Sequence, residues 1–179
     1  MQHGAFREWM ADEEGLPNAE CVAYMAERAR GGIGMVTTGA TVTMPGAGPG
    51  YFQNFDDGFV DAYRVLAEAV HAHGAKLIAQ LLHAGDQPPV IGNAPVARLR
   101  LGEYLPALPA AEGTPPAATP GPMRDWTARE LGEIVKSFAE GAGRVQVGGA
   151  DGVELHAHER YLLAQFLSPF YNRRGDSYG

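Results

Sequence analysis

The chain of 179 residues predicts a parallel α/β fold, either doubly wound or closed into a barrel. Three observations carry that prediction. Helix-like and strand-like segments alternate three times in succession, with glycines closing each helix. The strand-like segments, Ile33 to Thr38, Lys76 to Leu82 and Asp151 to Leu155, are short, largely apolar runs of the kind buried in a parallel sheet. The last of them is followed at once by His156 and then by Tyr161. Polar groups at the carboxyl end of a buried parallel strand are what an α/β barrel enzyme places at its active face.

Each element has a local cause. Asn18 is positioned to cap a helix running to about Arg30, with Val22, Met25 and Ala29 on one face. Gly31-Gly32 ends it, and the first buried strand follows. Asp56 or Asp57 caps the second helix, whose core face is Phe59, Tyr63, Leu66 and Val70 at helical spacing. Gly74 ends that helix and the strand KLIAQLL begins at Lys76. Thr127 and Glu130 match a capping box, in which the threonine oxygen and the glutamate carboxylate satisfy each other's backbone N–H groups. The helix they open carries an apolar stripe of Leu131, Ile134, Val135, Phe138 and Ala142, and Gly148-Gly149 closes it. Two stretches interrupt the rhythm. MPGAGPG, from Met44 to Gly50, reads as a loop. Residues 87–122 hold most of the prolines and read as a long excursion over the face of the fold. A helix is expected to begin near Tyr161.

Composition narrows the function classes. A 45% hydrophobic content is that of a globular chain, and the formal net charge of -7 leaves no electrostatic footprint for nucleic acid. No apolar run is long enough to span a bilayer, and the acidic start lacks a signal-peptide layout, so a cytoplasmic location and a small-molecule substrate are expected. The lone cysteine, Cys21, excludes an internal disulfide. Neither a GxGxxG nor a GxxxxGK[ST] pattern is present.

Four positions draw attention for their chemistry. Gln80 is an amide inside an apolar strand, and a buried amide needs partners. A heterocycle with an amide-like edge, such as the pyrimidine edge of a flavin, would supply them; neighbouring backbone would too. His83, near the end of the same strand, reads as structural or catalytic. His156 and Tyr161 make the stronger pair. An imidazole can donate to a substrate carbonyl oxygen and stabilise charge developing there, and a phenol can deliver a proton to carbon. Packing beside a turn is the alternative for both. If the strand continued, His156 and His158 would face the same way, but no further spaced ligands support a metal site.

The segments ERARGGIGMVTTGATV, AHGAKLIAQLLHAG and GADGVELHAHERYLLAQFLSPFYNRRGDSYG together resemble the old yellow enzyme family, the NADH:flavin oxidoreductase group that includes ene-reductases and 2,4-dienoyl-CoA reductases. The resemblance runs from about Gly15 to Gly179. It implies a (β/α)8 TIM barrel that binds FMN, takes hydride from NAD(P)H and passes it to an activated alkene, enone or dienoyl thioester. It further implies that Gln80, in the family's AQLxHxG motif, contacts the flavin, and that Ala40 is the small residue lying close to it. His156 matches the first polar residue of HxxHxY or HxxNxY, which holds the substrate's activating oxygen. Glu159 falls on the second position of that motif, and Tyr161 on the tyrosine that protonates substrate carbon. Asn172, Arg174, Asp176 and Tyr178 match NxRxDxYGG, a signature that orders a loop.

The chain departs from the pattern at Glu159, where histidine or asparagine is usual, at Arg160, where glycine is usual, and at Asp86, where arginine follows HAG. The resemblance also implies an N-terminal half: one incomplete barrel domain over residues 1–179, with the first strand ahead of Met1 or reduced to the opening residues. The second half would carry the arginine beside the flavin ring and the groups that hold its phosphate. A barrel loses its sheet edges only by closing. The alternative expectation is therefore a non-catalytic barrel fragment that needs a complementing chain or a homo-oligomer.

Overall fold

Strand pairing in this chain is parallel throughout its sheet, and the helices supply the crossovers. The computed structural model describes residues 1–6, 9–44, 50–85, 126–158 and 161–179. In chain order the elements are β1 (Gln2–His3), α1 (Ala19–Arg30), β2 (Met35–Val42), β3 (Phe52–Gln53), α2 (Gly58–His71), β4 (Lys76–Leu82), α3 (Ala128–Val147), β5 (Gly152–Leu155) and α4 (Leu162–Leu167). Four strands follow the order β1-β2-β4-β5, and β3 also pairs with β2. β4 lies along one side of β2, while β1 and β3 take the other side at its beginning and end. The steps β2–α2–β4 and β4–α3–β5 are β/α/β units, the repeat of a parallel barrel.

The helix termini follow their local chemistry. Asn18 Oδ1 accepts from the Cys21 N–H at 2.8 Å and caps α1. The capping box at α3 is complete: Thr127 Oγ1 accepts from the Glu130 N–H, and Glu130 Oε2 accepts from the Thr127 N–H. At α2 the cap position is Asp57, but its side chain makes no capping bond; Asp56 Oδ1 accepts from the Gly58 N–H instead.

Phe59, Tyr63, Leu66 and Val70 of α2 are fully buried against Leu77, Ala79 and Leu81 of β4, as their spacing predicts. The Tyr63 hydroxyl meets Thr38 Oγ1 at 2.6 Å, so this core face carries its one phenol with a partner. Three expectations need correcting. The buried face of α1 is Cys21, Met25 and Ala29, with Val22 only partly covered, a rotation of one residue. Val135 is 62% exposed; Gly141 and Val145 take the inner positions of α3. Gly141 lies there because a Cβ would stand 2.9 Å from the Thr43 side chain, so only glycine lets α3 come this close. The first long strand begins at Met35 rather than Ile33 and runs on to Val42. Gly39 does not stop it, because the strand absorbs the glycine in a bulge between Thr38 and Thr41. The excursion at residues 87–122 lies outside the described residues, as do residues 45–49 of the shorter loop.

Candidate active site at the strand ends

All strands run the same way, so their carboxyl ends share one side of the sheet. Gln80 on β4 is paired in register with Glu154 on β5, and their side chains therefore project from the same face. Gln80 is 8% exposed, and its Nε2 donates to Glu154 Oε1 at 2.6 Å. The expected alternative for this amide, bonding to neighbouring backbone, is replaced by a side-chain partner. On β2 the register passes from Thr38 opposite Ala79 to Thr41 opposite Leu81. Gly39 and Ala40 thus stand together opposite Gln80, two small residues where one would ordinarily be.

His156 is the first residue beyond β5. Its N–H donates to the Leu81 carbonyl at 2.9 Å and carries the ladder one residue further. Tyr161 is the N-cap residue of α4. The two rings lie 4.7 Å apart between centroids, tilted by 53°. The imidazole and the phenol expected to act together are therefore neighbours. Glu159, expected between them as a substrate contact, lies outside the described residues, as do Arg160 and Asp86.

His83 explains how α4 is held to β4. Its carbonyl accepts the Leu162 N–H at 3.0 Å, its Nδ1 accepts the Gly85 N–H at 3.1 Å, and its ring meets Trp126 edge-on at 5.8 Å. Burial pushes its pKa down to about 4. A ring whose Nδ1 accepts a backbone N–H is the neutral tautomer with the proton on Nε2. Gly85 has φ +67°, and a Cβ there would stand 2.7 Å from Gln165 Oε1, which accounts for glycine at the end of this turn. Gln165, on α4, is fully buried.

The C-terminal segment organises itself. Asn172 Nδ2 donates to the carbonyls of Phe166 and Tyr178, Asn172 Oδ1 accepts the Arg174 N–H, and the Arg174 guanidinium reaches both Asp176 and the Trp126 carbonyl. Its motif therefore knits a loop and ties it to the start of α3.

His156 extends the ladder by one residue but His158 lies beyond it, so strand alternation does not bring the two rings together, and they are 6.4 Å apart. Among the described residues no group of three or more histidine, cysteine, aspartate and glutamate side chains gathers for a metal. A hollow of about 570 Å³ between α2 and α3, lined by Asp57, Asp61, Glu140 and Arg144 among others, includes none of the strand-end residues. No helix among the described residues is long and apolar enough to cross a membrane.

Sequence reasoning missed Glu154 as a partner of Gln80, and Trp126 and Gln165 as supports. Glu154 had a readable signal: it is a polar residue in a short buried strand, two positions before His156 and so on the same strand face.

Known proteins share this fold. The family model described as NADH:flavin oxidoreductase / NADH oxidase matches residues 1–179. The chain is 37% identical over 175 residues to a metal reductase of Desulforamulus reducens, covering 91% of this chain and 24% of that protein. It superposes on a 2-naphthoyl-CoA reductase in complex with 2-naphthoyl-CoA with a TM-score of 0.78 at 25% identity, over 100% of this chain and 28% of the other. An old yellow enzyme from Pichia sp. gives a TM-score of 0.80 at 23% identity, over 99% of this chain and 47% of the other. The chain thus spans about a quarter of the length of the curated relatives it matches first.

Proposed function

Because the chain belongs to the NADH:flavin oxidoreductase / NADH oxidase family, the group of the old yellow enzymes, we propose that it forms the substrate-facing part of an FMN-dependent oxidoreductase that reduces an activated alkene, an enone or a dienoyl thioester. FMN and NAD(P)H are the cofactors of that family. The observation that carries the reading is the pairing of the His156 and Tyr161 rings at the strand ends, on the side where Gln80 and the Gly39-Ala40 bulge lie.

The residues present suit a flavin. Gln80 offers a carbonyl oxygen and a remaining amide hydrogen, the complement of an imide edge, and the bulge opposite it presents only small side chains. When bound, FMN supplies hydride transfer from the nicotinamide to the substrate. This chain's part is binding and proton handling. The His156 imidazole N–H donates to the carbonyl oxygen that activates the double bond, and so stabilises the negative charge gathering there. The Tyr161 hydroxyl gives its proton to the substrate carbon that does not receive hydride. The resemblance puts Glu159 on the second substrate-facing position of its motif. A carboxylate in that role would narrow the substrates that fit, and a thioester with its own polar groups beyond the reacting carbons is the class we favour.

Stopped-flow kinetics separates the two half-reactions. In the FMN-loaded protein, Tyr161→Phe is expected to slow reoxidation by an enone about 10²- to 10⁴-fold while flavin reduction by NAD(P)H keeps its rate. Equal loss in both half-reactions would remove Tyr161 from the proton-donor role, and a protein that takes up no FMN would end the proposal.

A further inference from the structure

Glu154 is the polar residue of this face that the proposed chemistry leaves without a task. It pairs in register with Gln80, and its Oε1 lies 2.6 Å from Gln80 Nε2. A carboxylate only accepts hydrogen bonds, so this contact decides which end of the Gln80 amide faces β5: the nitrogen. Without such a partner the two ends of an amide are nearly equal in shape and differ only in what they bond. Gln80 is almost completely buried, and its Oε1 has no hydrogen-bond partner among the described residues. This oxygen is not among the fully enclosed unpartnered side-chain atoms, so it keeps access from the open side of the sheet, where a ligand donor can reach it. The other flank is closed to rivals, since Gly39 and Ala40 bring no side-chain donor opposite Gln80.

We propose that Glu154 is a positioning residue that locks the Gln80 amide, so that its carbonyl oxygen, with one N–H beside it, meets the imide edge of a flavin. The inference rests on the flavin-binding reading above. The imide edge places an N–H between two carbonyls. For a ring held in one place, the locked amide accepts from that N–H and donates to the neighbouring carbonyl. A flipped amide sets N–H against N–H and carbonyl against carbonyl, losing both bonds. Glu154 therefore acts through Gln80 and touches no reacting atom.

The test is a double-mutant cycle read by FMN affinity, with an FMN analogue methylated on the imide nitrogen as second probe. Flavin fluorescence quenching gives dissociation constants for the unmutated protein, Glu154→Ala, Gln80→Ala and the double variant. Glu154→Ala should weaken FMN binding about tenfold, the scale of a lost charge-assisted hydrogen bond. The double variant should bind no more weakly than Gln80→Ala alone, because the effect of Glu154 has no route without the amide. The preference for FMN over the methylated analogue should fall in Glu154→Ala. If that variant does not fold, Glu154→Gln keeps the volume and accepts or donates with either end, and the same loss of preference is expected. Additive losses with the preference unchanged would reduce Glu154 to a strand-edge residue and overturn the inference while FMN binding stands. Absence of FMN uptake by the unmutated protein would instead take down the flavin reading and this inference with it.

Discussion

His83 and His156 are both imidazoles at strand ends, and their surroundings give them different work. His83 Nδ1 is occupied by the Gly85 N–H and its ring is packed edge-on against Trp126, so protonation would cost it both a hydrogen bond and a buried charge. Burial holds its pKa near 4, below the unfolded value of about 6.5. The folded state therefore binds fewer protons than the unfolded one between those values. The stability this neutral ring brings is complete above about pH 6.5 and is lost as pH falls toward 4, by up to about 3 kcal/mol. His83→Asn keeps an acceptor for Gly85 and cannot titrate. Urea unfolding from pH 7 to 4 is expected to show a shallower fall in stability for that variant; an unchanged slope would place the titrating group elsewhere.

At the scale of elements, the site depends on the register of β5. Asp151 pins it at the opposite end of the strand. Its N–H donates to the Leu77 carbonyl, and its carboxylate accepts from the Leu77 N–H, from Lys76 Nζ at 2.6 Å and from His71 Nε2 at 2.7 Å. A slip of one residue would turn Glu154 toward the helices and break its pairing with Gln80. Burial pushes the Asp151 carboxyl up, but Lys76, the Leu77 N–H and His71 together outweigh it and hold the pKa at about 2. That stabilisation is present above the unfolded value near 3.9 and is lost as pH falls through 2. Lys76 is mostly exposed, so solvent screening limits the contribution to about 1–2 kcal/mol. Asp151→Asn should lower stability by that amount at pH 7 and flatten the acid limb between pH 4 and 2, measured by denaturant unfolding. Undiminished stability would show that backbone pairing alone sets the register.

For the whole molecule, the two faces of β5 differ sharply. Glu154 is paired on the inner face, while on the outer face Val153 is 39% and Leu155 54% exposed. Their partners across the strand, Ala79 and Leu81, are fully covered. A four-residue strand with apolar side chains in water attracts other apolar surface. The 179-residue chain is expected to bind an apolar fluorescent dye at this edge, and Leu155→Lys to reduce the dye signal while changing stability by no more than about 0.5 kcal/mol. Equal dye binding by both proteins would locate the apolar surface away from β5. The family's barrel repeat gives the physical context: each β/α unit covers the strand before it.

Succession of elements was readable because its causes are local. Asn18, the Thr127–Glu130 box, the 3.6-residue stripe of α2 and the bounds of β4 are each decided within a few residues, and each is where the sequence puts it. The nearness of His156 and Tyr161 was also readable, since a strand end and a helix start five residues apart can hardly separate. Tertiary structure alone decided the rest. The extension of β2 through Gly39, the choice of Glu154 as partner of Gln80 across 74 residues of chain, and the tie from His83 to Leu162 all depend on strand register. Register is an agreement between segments distant in sequence, set by which faces are buried together, and no local pattern of residues contains it.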